Sequence, residues 1–144
     1  MSMEQFEAYL KNEKKMSANT VQAYVRDVRH FDDFVKSRGL MDVSEASNAE
    51  VVAFLMNLKT AGRSRSTVNR KLASIRTFFD YLQKSGSVSD NPTEDIKSPK
   101  IEKRVPNVLT SKEVALLLEQ PKDVDLKGTR DKAMLEFAYA TGMR

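Results

Sequence analysis

Arg65-Ser66-Thr67-Val68-Asn69-Arg70-Lys71-Leu72-Ala73-Ser74-Ile75-Arg76-Thr77-Phe78-Phe79-Asp80-Tyr81-Leu82 is the stretch that decides the fold. Val68, Leu72, Ile75, Phe79 and Leu82 recur at three- and four-residue steps, the period of a helix with one buried side. The pattern begins near Arg65 or Ser66 and runs until Gly86 stops it. Upstream, the same period appears three more times. Phe6, Tyr9 and Leu10 predict a short helix from near Met3 to about Lys14. Ser17 is an N-cap for a long helix carrying Val21, Tyr24, Val28, Phe31 and Val35, with Gly39 as its stop. Ser47 and Glu50 form a capping box ahead of Val51, Phe54, Leu55 and Leu58, and that helix ends before Gly62.

No alternating strand pattern interrupts this series, so the first hundred residues predict a four-helix bundle, each helix burying one face. From Ser89 the texture changes. Asp90-Asn91-Pro92 is a turn signal, and Lys97 to Pro106 carries two prolines and several basic residues with little apolar period, which reads as a linker. Thr110 and Glu113 then make another capping box before Val114, Leu117 and Leu118. A last helix is expected from about Thr129 through Met134, Leu135, Ala138 and Tyr139 to Gly142. Two helices are too few to bury a core of their own, so their apolar faces are expected to need neighbours outside this sequence, and truncation is the favoured reading. The predicted division is 1–96 for the bundle, 97–108 for the linker and 109–144 for a domain fragment.

Composition bounds the chemistry. The chain has 144 residues, 40% hydrophobic and 31% charged, an ordinary globular balance. Lys and Arg number 24 against 20 Asp and Glu, a net charge of +4 that permits an anionic partner without requiring one. There is no cysteine, which excludes disulfides and thiolate catalysis, and the single histidine, His30, argues against a zinc site. No glycine-rich phosphate loop, paired-carboxylate site or nucleophile elbow is present, so no cofactor and no metal are expected. The N-terminus lacks the features of a signal peptide and no run approaches the roughly 20 apolar residues of a membrane span. The expectation is a cytoplasmic protein with no membrane partner.

Charge distribution is more informative than net charge. Between Arg63 and Lys84 the only acid is Asp80, against Arg63, Arg65, Arg70, Lys71, Arg76 and Lys84. A step of 100° per residue puts Ser66, Asn69, Arg70, Ala73, Arg76 and Thr77 opposite the Val68-to-Leu82 line. Arginines that neutralise phosphates, short polar donors and a small alanine permitting close approach suit a DNA groove. A solvated basic face fits the same spacing. The second helix offers a comparable side in Asn19, Gln22, Arg26, Arg29 and His30, diluted by Asp27, Asp32 and Asp33. His30 has no partner in sequence to orient it and reads as a boundary residue, not a catalytic base. The linker residues Lys97, Lys100, Lys103 and Arg104 either track a nucleic-acid backbone or keep a tether soluble.

Several separated motifs resemble the tyrosine recombinase (phage integrase) family, most closely its Xer-like members, across essentially the whole chain. They are Ser17-Ala18-Asn19-Thr20 with Tyr24, Asp27, Phe31 and Phe34; the run Ser66 to Leu82; Asn91-Pro92 followed by Pro99-Lys100; and Arg130-Asp131-Lys132-Ala133-Met134-Leu135-Glu136-Phe137-Ala138-Tyr139-Ala140-Thr141-Gly142-Met143-Arg144. The resemblance implies an all-α chain: a SAM-like core-binding bundle, a linker and the opening of a catalytic domain. Its second and fourth helices would meet the major groove of a double-stranded DNA recombination site. Arg144 corresponds to the first of two arginines that hold the scissile phosphate, where fixed positive charge offsets transition-state charge. In the family a tyrosine attacks that phosphate, forms a 3′-phosphotyrosyl link and exchanges strands without metal or ATP. The nucleophile and the other catalytic residues would fall beyond Arg144; Tyr9, Tyr24, Tyr81 and Tyr139 are no substitutes, so this chain alone is expected to be inactive.

No arm-binding domain is read ahead of Met1, which favours a simple Xer-like or transposon-type recombinase working as four protomers on two sites. Two other classes stay open. One is a helical protein-interaction module whose charged face binds an acidic partner. The other, an intact small enzyme, has no complete catalytic constellation to support it.

Overall fold

The computed structural model describes residues 3–99 and 107–143. Among the described residues the structure is helical and contains no strand: α1 (Met3–Asn12), α2 (Ala18–Ser37), a 3-10 turn (Val43–Glu45), α3 (Asn48–Thr60), α4 (Arg65–Lys84), α5 (Ser111–Leu118) and α6 (Leu126–Thr141). The chain divides into two compact units, Met1–Glu102 and Lys103–Arg144.

Helix ends follow the local chemistry. Ser17 and Ser64 cap α2 and α4 in the same way, each accepting from the backbone of the threonine three residues on, Thr20 at 3.4 Å and Thr67 at 3.2 Å. The Ser64 cap had no counterpart in the sequence reading, although the start of α4 at Arg65 did. Ser47 and Glu50 complete the expected capping box, as do Thr110 and Glu113. Gly62 and Gly86 follow α3 and α4 at φ +70°, a conformation glycine adopts without a Cβ penalty. The turn at Val43–Glu45, which buries Val43, was not foreseen. Helix α6 begins three residues before its expected start because the Asp125 carboxylate accepts from the Gly128 backbone at 2.6 Å, and Lys127 and Gly128 carry no apolar signal.

The core of the first unit takes one fully buried phenylalanine from each helix: Phe6, Phe31, Phe54 and Phe79, all 0% exposed. Phe78 joins them into a chain of ring contacts. Phe6 meets Phe78 edge-on at 5.0 Å, Phe78 meets Phe79 at 5.8 Å, and Phe31 meets Phe79 at 6.5 Å and Phe54 at 5.2 Å. The inward face of α2 is broader than the apolar line suggested. Val25 is buried while Tyr24 is only partly so, and Asp27, a carboxylate, is 1% exposed.

Three side chains of α4 converge on Asp27. Arg70 Nη1 pairs with Oδ2, Lys71 Nζ lies 3.0 Å from Oδ1, and Ser74 Oγ lies 3.1 Å from Oδ2. A buried charge costs several kcal/mol of desolvation unless it is paired and hydrogen-bonded, and here both oxygens are engaged.

After α4 the chain doubles back as a strap along that helix, with turns over residues 92–95. The order of contacts fixes its direction: Gln83 donates to the Ser89 carbonyl at 3.2 Å, Asn91 to Asp80 at 2.7 Å, Arg76 to the Ile96 carbonyl at 2.8 Å and Asn69 to the Pro99 carbonyl at 2.8 Å. Asn48 of α3 also holds the Pro92 carbonyl at 3.0 Å. Within the strap Thr93 is fully buried and Ile96 packs on the core. A segment outside helix and sheet must satisfy its carbonyls one by one: the backbone amides of Glu94 and Ile96 serve those of Asn91 and Thr93, and side-chain amides and a guanidinium serve others.

The second unit consists of α5 and α6, in which no residue is buried. Leu126, Phe137 and Tyr139 are among its exposed large apolar side chains.

Removal of the Asp27 carboxylate should destabilise the bundle far more than removal of Arg70, because Lys71 is buried whereas the Arg70 side chain is 45% exposed. Urea unfolding of Asp27→Ala should show a loss of about 3 kcal/mol and Arg70→Ala a loss of about 1 kcal/mol or less. Equal losses would mean that Lys71 keeps its solvation without Asp27.

Candidate nucleic-acid interface

The ionic centre between α2 and α4 opens outward into a groove of about 460 Å³, lined by Arg26, Asp27, Arg29, His30 and Asp33 of α2, by Arg63 and by Thr67, Arg70 and Lys71 of α4. Five permanent cations face two carboxylates there, so the groove carries a positive field. Asp27 lies at its floor with both oxygens already engaged, which leaves the outer cations to face an incoming anion. A smaller depression of about 260 Å³ continues the basic surface along α2, lined by Gln22, Val25, Arg26 and Arg29 beside Glu7 of α1.

The sequence-expected residues separate into two sets. Asn19, Gln22 and Arg26 on α2, and Ser66 and Arg70 on α4, are exposed. Asn69, Arg76 and Thr77 are not on an open face. The strap covers that side of α4: Asn69 and Arg76 spend their donors on the Pro99 and Ile96 carbonyls, and the Thr77 hydroxyl donates to the Ala73 carbonyl at 2.9 Å. Helical geometry alone treats everything opposite the apolar line as solvent, whereas a return segment can occupy it. Lys100, Lys103 and Arg144 lie outside the described residues.

Arg29 was expected on the basic side of α2, and Arg63 and Lys71 were counted in the basic stretch; the structure brings them together in one groove with Asp27, which the sequence showed only as a diluting charge. A signal for Asp27 existed. It stands three residues after Tyr24 and four before Phe31, on the edge of the apolar line, and Lys71 stands likewise between Val68 and Ile75. An acid and a base on the inward edges of two helices is the pattern of a cross-helix buried pair.

His30 borders the same groove. Its Nδ1 lies 3.0 Å from Lys71 Nζ and its ring meets Phe54 at 5.2 Å. An ammonium only donates, so Nδ1 accepts and the ring is neutral with its proton on Nε2. Desolvation, and then the charge of Lys71, hold His30 below the ordinary imidazole value, with Arg63 adding to this and Asp33 and Asp27 opposing it. Because the folded pKa is the lower one, the unfolded chain binds more protons near pH 6. Stability contributed by neutral His30 is present above the ordinary value and is lost as pH falls through the lowered one. Urea midpoints should therefore fall between pH 7 and 5 more steeply in the native protein than in His30→Gln, and parallel profiles would remove His30 as the source.

Arg76→Ala should release the strap. Hydrogen exchange at the Ile96 amide, which bonds to the Thr93 carbonyl at 3.2 Å, should accelerate while amides in the middle of α2 remain protected. Unchanged exchange at Ile96 would show that packing alone holds the segment.

Comparison with known proteins agrees with this architecture. Residues 3–86 match the family model for the phage integrase N-terminal SAM-like domain. The chain is 43% identical over 143 residues to tyrosine recombinase XerC of Herpetosiphon aurantiacus, covering 99% of this chain and 47% of that protein. It is 37% identical over 143 residues to tyrosine recombinase XerD of Listeria monocytogenes, covering 99% and 48%. Among solved structures, the integrase from mycobacterium phage Brujita matches with a TM-score of 0.61 and 25% identity, over 99% of this chain and 45% of that one. The chain thus spans about half the length of the curated relatives it matches. With the family match running from the start of α1 to the turn after α4, across all four helices that build the core and the basic groove, this chain belongs to the phage integrase family through its N-terminal SAM-like domain.

Proposed function

We propose that the first unit grips double-stranded DNA at a recombination site, with α2 and the N-terminal half of α4 against the duplex. The basic groove between these helices carries the reading: Arg26, Arg29, Arg63, Arg70 and Lys71 share one surface, flanked by the exposed donors Asn19, Gln22 and Ser66. Phosphate contacts of this kind position a protein on DNA, and the short polar side chains beside them are suited to base edges. In this reading Asn69 and Arg76 hold the strap, and Lys100 and Lys103 are further candidates for DNA-backbone contacts by their charge alone.

The names of the relatives support site-specific recombination as the activity of the whole protein, with DNA cleaved and rejoined through a 3′-phosphotyrosyl intermediate. Arg144 is then the first arginine to hold the scissile phosphate, four protomers act on two sites, and the work is done in the cytoplasm. Within this chain the contribution is binding and placement of DNA, not cleavage.

Fluorescence anisotropy of a labelled duplex at several salt concentrations tests the binding step. Affinity should fall with salt along a slope of about −0.9 per phosphate contact. Arg26→Ala/Arg29→Ala should reduce the magnitude of that slope by roughly two, while Arg76→Ala should leave it unchanged. No salt-dependent binding by the native chain, or a slope indifferent to the double substitution, would take the duplex off this face.

A further inference from the structure

Helix α3 is apolar on two sides. Val51, Phe54 and Leu58 enter the core, and a second stripe of Val52, Leu55 and Met56, extended by Lys59, sits at i, i+3, i+4 and i+7 on another face. Leu55 packs partly against the core and Val52 is half-buried, so Met56 is the exposed member of this second stripe. Ile96 and Pro99 form the opposite wall of a groove of about 330 Å³ whose floor includes Val68, and Met56 remains 64% exposed at its mouth. Among the described residues the charged side chains that line this groove are Lys59, Arg63 and Arg65, and Arg65 already has a partner within the chain, so Lys59 and Arg63 are the cations the groove offers.

We propose that this groove is a docking site for a short amphipathic helix of a partner protein, apolar on the side it inserts and acidic along its flanks. From Val52 to Lys59 the stripe is about 10 Å long, which matches two turns of a docked helix presenting anchors at the same spacing. A phosphodiester backbone would use the cations but gain nothing from the aliphatic floor; an acidic amphipathic helix uses both. Helix α6 of a second copy is a poorer match, because it carries Lys127, Arg130 and Lys132 against Asp131 and Glu136. Arg63 lines both this groove and the one between α2 and α4, so an acidic occupant and an anion at the other groove draw on one guanidinium. The site shares Arg63 with the proposed DNA groove, but it does not rest on the DNA reading.

The test uses the full chain and a fluorescein-labelled helical peptide of roughly four turns, with leucine at i, i+3, i+4 and i+7 and glutamate elsewhere, beside a scrambled peptide of the same composition. Saturable binding of the patterned peptide is expected, weakened by roughly tenfold or more in Met56→Glu and in Lys59→Glu. Both positions are exposed, and melting temperature and duplex affinity should not change. Failure of the patterned peptide to bind, or equal binding of the scrambled one, overturns the proposal. So does binding that survives both substitutions, which would belong to the exposed apolar residues of α5 and α6. A loss of duplex affinity in Met56→Glu would assign the groove to DNA instead, and self-association that Met56→Glu abolishes would assign it to a second copy.

Discussion

A carboxylate taken out of water where the two longest helices meet sets the terms for the rest of the bundle. Apolar contacts between α2 and α4 are non-directional and would tolerate small slides and rotations of one helix on the other. The ionic centre does not. Arg70, Lys71 and Ser74 reach Asp27 together only in one register, and any other leaves a buried charge without partners. The apolar core around the four buried phenylalanines supplies the bulk of the cohesion; Asp27 selects which arrangement of it is native. Because Arg70 and Lys71 lie at the inner edge of the outer groove, the constraint that fixes helix register also fixes where the groove's cations stand.

Helix α4 serves three environments around its circumference. One side enters the phenylalanine core, a second joins Asp27 and borders the basic groove, and a third is covered by the returning strap. That third side explains why Asn69 and Arg76, which look like groove-facing residues on a helical projection, are engaged within the chain. Their partners are backbone carbonyls of a segment that has no secondary structure of its own, so they convert a loose tail into a fixed wall. That wall closes one side of the second groove, whose other side is the outer stripe of α3.

Membership of the phage integrase family and the basic groove support one another without being the same argument. The family match rests on the pattern of the four helices, much of it core; the groove rests on charges that a core does not require. The second unit adds two capped helices in which no residue is fully buried.

Local physics made most of the fold legible in the sequence. Apolar periods at three and four residues, the Ser17 cap, two capping boxes and glycine stops mark the helices to within a few residues, because each signal acts over one or two turns of chain. The excess of base around Arg63 to Arg76 was equally visible, since charge can be counted. What the tertiary structure decided were relations between segments distant in sequence: that Asp27 is a buried counter-ion rather than a dilution of surface charge, that Arg29, Arg63 and Lys71 share a groove, and that Asn69 and Arg76 face a strap. The pairing of Asp27 with Lys71 spans 44 residues and that of Asn69 with Pro99 spans 30. A helical projection treats each helix as though it stood alone in water, and the partner that replaces that water is set only by packing.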